Sequence, residues 1–326
     1  MTLFGQKPRL PDYFGRYHHT SQDFNHTMAH KIPATNLICP LDQAKLQQEN
    51  NSLRCENGHS FDIARQGYIN LLPVQKKRSK DPGDSKEMIV ARQNFLNDGI
   101  YRPISEKLNQ LVKPLLEKQC ISTEEKSTES QSTDILDRPC VIDAGCGEGY
   151  YLQQLATDLE EHQYNLIGLD ISKWAVQAAA KRNKQITWIV GTNAHLPVKP
   201  ASVDMIICMF GFYDLERFAA LLKPGGIVLL AEAGTEHLIE LRELIYPEVR
   251  RTPLPDISDA LNKGYKLIEE SSLQFSPKTL NQQQVKDLMV MTPHLYRASF
   301  EGKQKAEALT ELTITADVVF RVLEYV

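Results

Sequence analysis

The chain has no run of 18 apolar residues, so its sequence offers nothing that would span a membrane. Its opening stretch, MTLFGQKPRLPDYFGRYHHT, lacks the continuous apolar segment of a secretory leader. Cysteine is sparse, six residues at 39, 55, 120, 140, 146 and 208, which is no disulfide framework and suits a reducing, cytoplasmic setting. Charge of one sign is scarce too: a net −4 excludes a protein that coats nucleic acid with its whole surface, and leaves room for a local basic patch. There is no internal repeat, so no solenoid or propeller is expected. What is present is ordinary for a globular protein, 42% hydrophobic and 24% charged over 326 residues, enough for one large domain or a large and a small one.

Four segments follow from composition. Residues 1–35 carry His18, His19, His26 and His30 at irregular spacing without periodicity, and are expected to be a flexible extension. Residues 36–75 hold a compact Cys/His segment with turn residues. Residues 76–138 open on the basic run Lys76-Lys77-Arg78-Ser79-Lys80, continue with helical patterning at Met88–Leu96 and Ile104–Leu116, and end in a polar Ser/Thr/Glu stretch expected to be a solvated loop. Residues 139–326 change character. Short β-branched runs (Val141–Asp143, Leu166–Asp170, Ile186–Val190, Val203–Met209, Ile227–Ala231) alternate with helical segments, the mark of βαβ units in a parallel sheet.

The first βα junction carries the chemistry. A buried-strand run ends at Asp143, and Gly145-Cys146-Gly147-Glu148-Gly149 leads into a helix. Glycines let the backbone turn tightly and meet a ligand closely, while the helix start presents free N–H groups. The third glycine comes one residue too early for a dinucleotide fingerprint, and the loop looks instead like that of S-adenosylmethionine-dependent methyltransferases. Asp170 ends the next strand 27 residues after Asp143, where a carboxylate would accept from a ribose diol. Lys223-Pro224-Gly225-Gly226 resembles a turn of that same superfamily. Asn193-Ala194-His195 follows the third strand and looks like an adenine cap, although His195 reads equally as an ordinary loop histidine. His237 lies just past the fifth strand, at the edge where open α/β sheets bind ligands. Cys146 has no base placed to activate it and reads as small-residue filling. A doubly wound fold binding another nucleotide is the plain alternative.

In the N-terminal segment, Cys39-x2-Asp42-x12-Cys55-x3-His59 has the spacing of a four-ligand zinc site, with a carboxylate in one place; the alternative is the relic of such a site without metal. A basic run such as Lys76–Lys80 is more often a solvated surface than a binding patch, but from Phe61 to Arg92 there are seven Lys/Arg against four Asp/Glu, an excess in an otherwise acidic chain that admits phosphate contacts.

From about Cys39 onward these residues resemble the bacterial 23S ribosomal RNA guanine-N1 methyltransferases. The most specific blocks are Asn70-Leu71-Leu72-Pro73-Val74-Gln75 and Asp81-Pro82-Gly83-Asp84-Ser85, joined by Met291-Thr292-Pro293. The resemblance implies a Rossmann-like α/β methyltransferase domain with a small zinc-ribbon-like N-terminal domain. It implies cofactor contacts at Tyr101, Gly147, Glu148 and His237, and zinc ligands at Cys39, Cys55 and His59, with Asp42 where the family has a second cysteine. It further implies a homodimer whose paired N-terminal domains receive an rRNA hairpin, and methyl transfer to guanine N1 in a domain II stem-loop.

Two absences agree. After the fourth strand, Cys208-Met209-Phe210-Gly211-Phe212-Tyr213-Asp214 holds neither the Asn/Asp-Pro-Pro-aromatic motif of exocyclic-amine methylation nor the Pro-Cys of C5 chemistry. Transfer to a ring nitrogen needs a positioned base and the loss of one proton. Asp214 and Glu232 are candidates for the proton acceptor by location, and Phe210, Phe212 or Tyr213 for stacking the unstacked guanine. A small-molecule methyltransferase and a silent RNA- or protein-binding module are the competing readings.

Overall fold

The computed structural model describes residues 30–77, 79–124, 138–159 and 163–326. His18, His19, His26, Arg78 and most of the polar stretch expected to be a loop lie outside them.

Three short strands, β1 (Gln47–Glu49), β2 (Ser52–Arg54) and β3 (Ser60–Asp62), form an antiparallel meander. Strands of three residues cannot sustain a core alone. Leu46, Leu53, Cys39 and Cys55 instead share one apolar cluster with Ile142, Ile167 and Ile189 of the large domain. The next strand, β4 (Tyr68–Asn70), lies within the segment assigned to the N-terminal unit, yet it pairs in parallel with Trp188–Val190. Ile69 is fully buried there.

The large sheet continues with β5 (Cys140–Ala144), β6 (Asn165–Asp170), β7 (Thr187–Val190), β8 (Val203–Met209), β9 (Leu222–Ala233) and β10 (Tyr265–Phe275). A two-stranded ladder, β11 (Leu280–Asn281) with β12 (Glu311–Leu312), precedes the last strand, β13 (Ala316–Tyr325). The order is β10-β13-β9-β8-β5-β6-β7-β4, all neighbours parallel except β13, which opposes both β9 and β10. The chain winds outward from β5 through β6 and β7, then returns to β8 on the other side. That reversal opens a crevice at the carboxyl ends of β5 and β8.

Helices cover the sheet. α1 (Lys86–Asn97) starts at Ser85, whose Oγ accepts from Met88 N at 3.3 Å. α2 (Arg102–Glu124) runs seven residues into the stretch from Lys118 that the sequence suggested was loop. The correction has a simple cause: Glu, Lys and Gln prolong a helix whose earlier turns, with Ile104, Leu108 and Val112, are anchored in the core. α3 (Tyr150–Asp158) and α4 (Lys173–Arg182) follow β5 and β6. α5 (Leu215–Leu221), α6 (Ile239–Ile245) and α7 (Ser258–Asn262) come after β8, β9 and the segment before β10. α8 (Gln282–Met291) begins with a reciprocal Asn281–Gln284 capping box, then α9 (His294–Arg297) and α10 (Phe300–Glu307) follow. No helix among the described residues is long and apolar enough to cross a membrane.

Candidate active site

A cavity of about 700 Å³ lies at the carboxyl edge of the sheet. Asp143, Gly145, Gly147 and Glu148 form its floor, Asp170 and Asn193 one wall, and Tyr101 and His237 the other. Gly83 and Asp84 before α1, and Met291–Pro293 after α8, complete the rim. Eight residues expected from the sequence therefore meet in one place, whereas Gly149 and Ala194 do not line the cavity. Gly149 has φ +81 and packs against α4 and β7: a Cβ there would lie 2.7 Å from the Trp188 ring and 2.9 Å from Ala179 Cβ.

The loop is braced from below. Asp170 Oδ2 accepts from Gly147 N at 2.9 Å and Oδ1 from Ser172 N at 2.7 Å, so the carboxylate expected to face a ribose also fixes the glycine turn. Gly147 itself has φ +54, a conformation side chains resist. Glu148 is buried and pairs with Arg182 at 2.9 Å, while its Oε2 accepts from Tyr150 N. Asp143 is almost fully buried, and its Oδ1 has no hydrogen-bond partner among the described residues. Burial, with Asp170 and Glu148 nearby, pushes its pKa up to about 8. An unmatched buried acceptor in a cavity wall suits a ligand that brings donors or positive charge.

His237 Nδ1 accepts from Asp317 N at 3.2 Å. Burial lowers its pKa to about 4, so the ring is neutral and carries its proton on Nε2, 3.4 Å from Tyr101 Oη. Phe210 stacks obliquely on His237 at 5.9 Å and on Tyr151 at 6.4 Å. It holds φ +55, a strained conformation of the sort retained at functional sites. Phe212 is 75% exposed at the mouth. Burial, then the carboxylates around it, push the Cys146 thiol well up, which rules out a thiolate nucleophile.

Two expectations are corrected. Asp214 caps α5, accepting from Arg217 N at 3.2 Å and pairing with Arg217 Nε. Glu232 takes Tyr213 Oη at 3.0 Å and Arg321 at 3.1 Å. Neither carboxylate lines the cavity, and nor does Tyr213, because their polar atoms are committed to partners elsewhere. A charged cavity-lining residue that sequence reasoning missed is Arg92. It lies on the face of α1 beside Ile89 and Leu96, and a lone cation among core positions was its signal. Its guanidinium reaches Asp84 at 2.5 Å and Met291 O at 3.0 Å.

In the N-terminal unit, Cys39, Asp42, Cys55 and His59 each bring one ligand atom, all within 4.8 Å of one another. His59 Nδ1 lies 3.5 Å from Cys39 Sγ, 3.4 Å from Cys55 Sγ and 2.9 Å from Asp42 Oδ2. Donors around a tetrahedral zinc sit roughly 3.3–3.8 Å apart, so two thiols, an imidazole and a carboxylate in this arrangement fit the ion. Asn57 and Ala44 N hold the two Asp42 oxygens at 2.9 and 3.0 Å, and this support lets a carboxylate stand where a thiolate is usual.

Two family profiles match the chain: "RlmA, N-terminal" over residues 37–80 and "Methyltransferase domain" over residues 141–226. A 23S rRNA (guanine(748)-N(1))-methyltransferase of Streptomyces fradiae is 32% identical over 63% of this chain and 66% of its own length. A Micromonospora griseorubida protein described as a 23S rRNA (guanine-N(1)-)-methyltransferase is 30% identical over 86% of this chain and 95% of its own length. A Bacillus subtilis protein of the same description is 27% identical over 86% and 94%. On this evidence, joined to the α/β fold and the two sites just described, the chain belongs to the 23S rRNA (guanine-N1)-methyltransferase family.

Proposed function

We propose that this protein transfers a methyl group from S-adenosylmethionine to N1 of one guanine in a domain II hairpin of 23S rRNA, acting in the cytoplasm as a homodimer. The observation that carries the reading is the convergence at one cavity of the glycine loop with Gly83–Asp84, from one of the two blocks most specific to the family, and with Met291–Pro293, which the resemblance also includes.

S-adenosylmethionine, when bound, supplies a methyl carbon activated by a sulfonium centre. The chain's own residues position and shield it. Gly145 and Gly147 admit close backbone approach, Asp143 Oδ1 offers an unused acceptor, and Tyr101, Phe210 and His237 wall the transfer point from water. Methylation of N1 would use the sulfonium's methyl, leave S-adenosylhomocysteine, and release the N1 proton to solvent. His237 Nε2 already carries a proton, so it serves as a hydrogen-bond donor rather than as the base. Phe212 supplies an aromatic face for a base drawn out of its stack. The Cys39–His59 cluster would hold a structural zinc that fixes the N-terminal unit against the sheet.

The test is methylation of 23S rRNA by the purified protein, mapped by primer extension. N1-methylguanine blocks the pairing edge and arrests reverse transcriptase. One arrest at a domain II guanine is expected, from a protein sedimenting as two chains. Methyl incorporation into small molecules with none into RNA would overturn the reading.

A further inference from the structure

The turn from Thr192 to His195 begins in the cavity wall and ends at the surface. There, Lys76 Nζ lies 3.2 Å from His195 Nε2, and Arg217 Nη1 lies 3.2 Å from His195 Nδ1. The three side chains come from the 3₁₀ turn Val74–Lys76, the loop after β7, and α5. Ammonium and guanidinium groups only donate, and a neutral imidazole offers one acceptor nitrogen and one N–H. Whichever tautomer is present, one of the two contacts sets an N–H against a cation.

Asp214 Oδ2 takes Arg217 Nε at 2.9 Å, which leaves Nη1 directed at His195. No carboxylate lies within ion-pair distance of Lys76 among the described residues. Burial, then Lys76 and Arg217, depress the His195 pKa, and an anion would reverse the two charge effects. The group is thus two cations set on either nitrogen of one imidazole, which can accept from only one of them, while the neighbouring Asp214 carboxylate is engaged with Arg217 Nε. Its His195 lies two residues after Asn193, whose side chain donates to the carbonyl of exposed Phe212 at 2.7 Å.

We propose that Lys76, His195 and Arg217 together grip one phosphodiester of the RNA strand whose guanine enters the cavity, an assignment that rests on the RNA reading above. A single oxyanion satisfies all three donors, and a phosphate beside Phe212 would hold the strand while the base leaves its stack.

Binding of a labelled domain II hairpin is measured across a series of KCl concentrations for the wild type, Lys76→Ala, Arg217→Ala and the double variant. Each single variant weakens binding. Because both cations serve one phosphate, the double variant's log–log salt slope becomes shallower by one contact, about 0.7–0.9, not by two. The affinity losses are also less than additive. S-adenosylmethionine affinity by calorimetry is unchanged in all three, which shows the variants folded. A double variant with the wild-type slope overturns the site and leaves the RNA reading intact. A decrement near 1.4–1.8 overturns the shared phosphate. A wild type that binds no hairpin removes the RNA reading and the site with it.

Discussion

Arg92 and Asp84 meet at 2.5 Å, and through Met291 O the same guanidinium ties the start of α1 to the end of α8 across the cavity rim. Residues 84, 92 and 291 thereby become one frame around the glycine loop. Arg92→Ala leaves a partly buried carboxylate and a carbonyl without their donor. The expected loss is on the order of 1.5–3 kcal/mol, or roughly 10- to 100-fold in S-adenosylmethionine affinity by calorimetry. Unchanged affinity would show the frame to be incidental.

The two glycines of the loop separate binding from stability. Gly147→Val puts a branched side chain into the cavity floor at φ +54, where a Cβ has only Arg92 within 4 Å, so the variant is expected to fold and lose cofactor binding. Gly149→Ala collides with Trp188 and Ala179 at φ +81 and is expected to cost about 2–4 kcal/mol of stability. Thermal melts and calorimetry on both variants check the division. Equal behaviour would refute it.

Asp143 makes stability depend on pH. Its pKa rises from 3.8 unfolded to about 8 folded, because burial and then two neighbouring carboxylates oppose ionisation. The folded state therefore binds the extra proton, and stability falls as pH rises from about 4 to about 8. Asp143→Asn, which cannot ionise, should flatten that decline in denaturant titrations at several pH values. A decline as steep as the wild type's would place its origin in other groups.

The metal quartet makes a stoichiometric claim. Purified protein is expected to contain about one zinc per chain, as a closed structural site requires. Asp42→Cys should slow zinc release to a chelator, since thiolate suits the ion better than carboxylate, and Asp42→Ala should speed it. Elemental analysis with no zinc in a protease-resistant N-terminal unit would count against metal.

Stacking at the mouth is tested by Phe212→Ala. Loss of one aromatic face is expected to weaken RNA binding by about 1–3 kcal/mol with cofactor affinity unchanged. If RNA affinity holds while cofactor affinity falls, Phe212 belongs to the cofactor's side of the cavity.

The sequence by itself determined the order of strands and helices from β5 to β9, because alternating β-branched and helical runs are local patterns. It also determined the Asp143–Gly149 loop and the Cys39–His59 quartet, whose members lie close along the chain. Only the tertiary structure decided that β4 closes the edge of the large sheet, since Tyr68 meets Trp188 across 120 residues of chain. The same holds for β13, which lies between β9 and β10 although it is the last strand of the chain. Packing removed Asp214 and Glu232 from the cavity by giving their oxygens partners, and it brought in Arg92, whose contact with Met291 spans 199 positions. Periodicity and spacing report what a residue does with its near neighbours in the chain. Which distant groups share a cavity is settled by how buried surfaces and buried charges find their partners when the layers close.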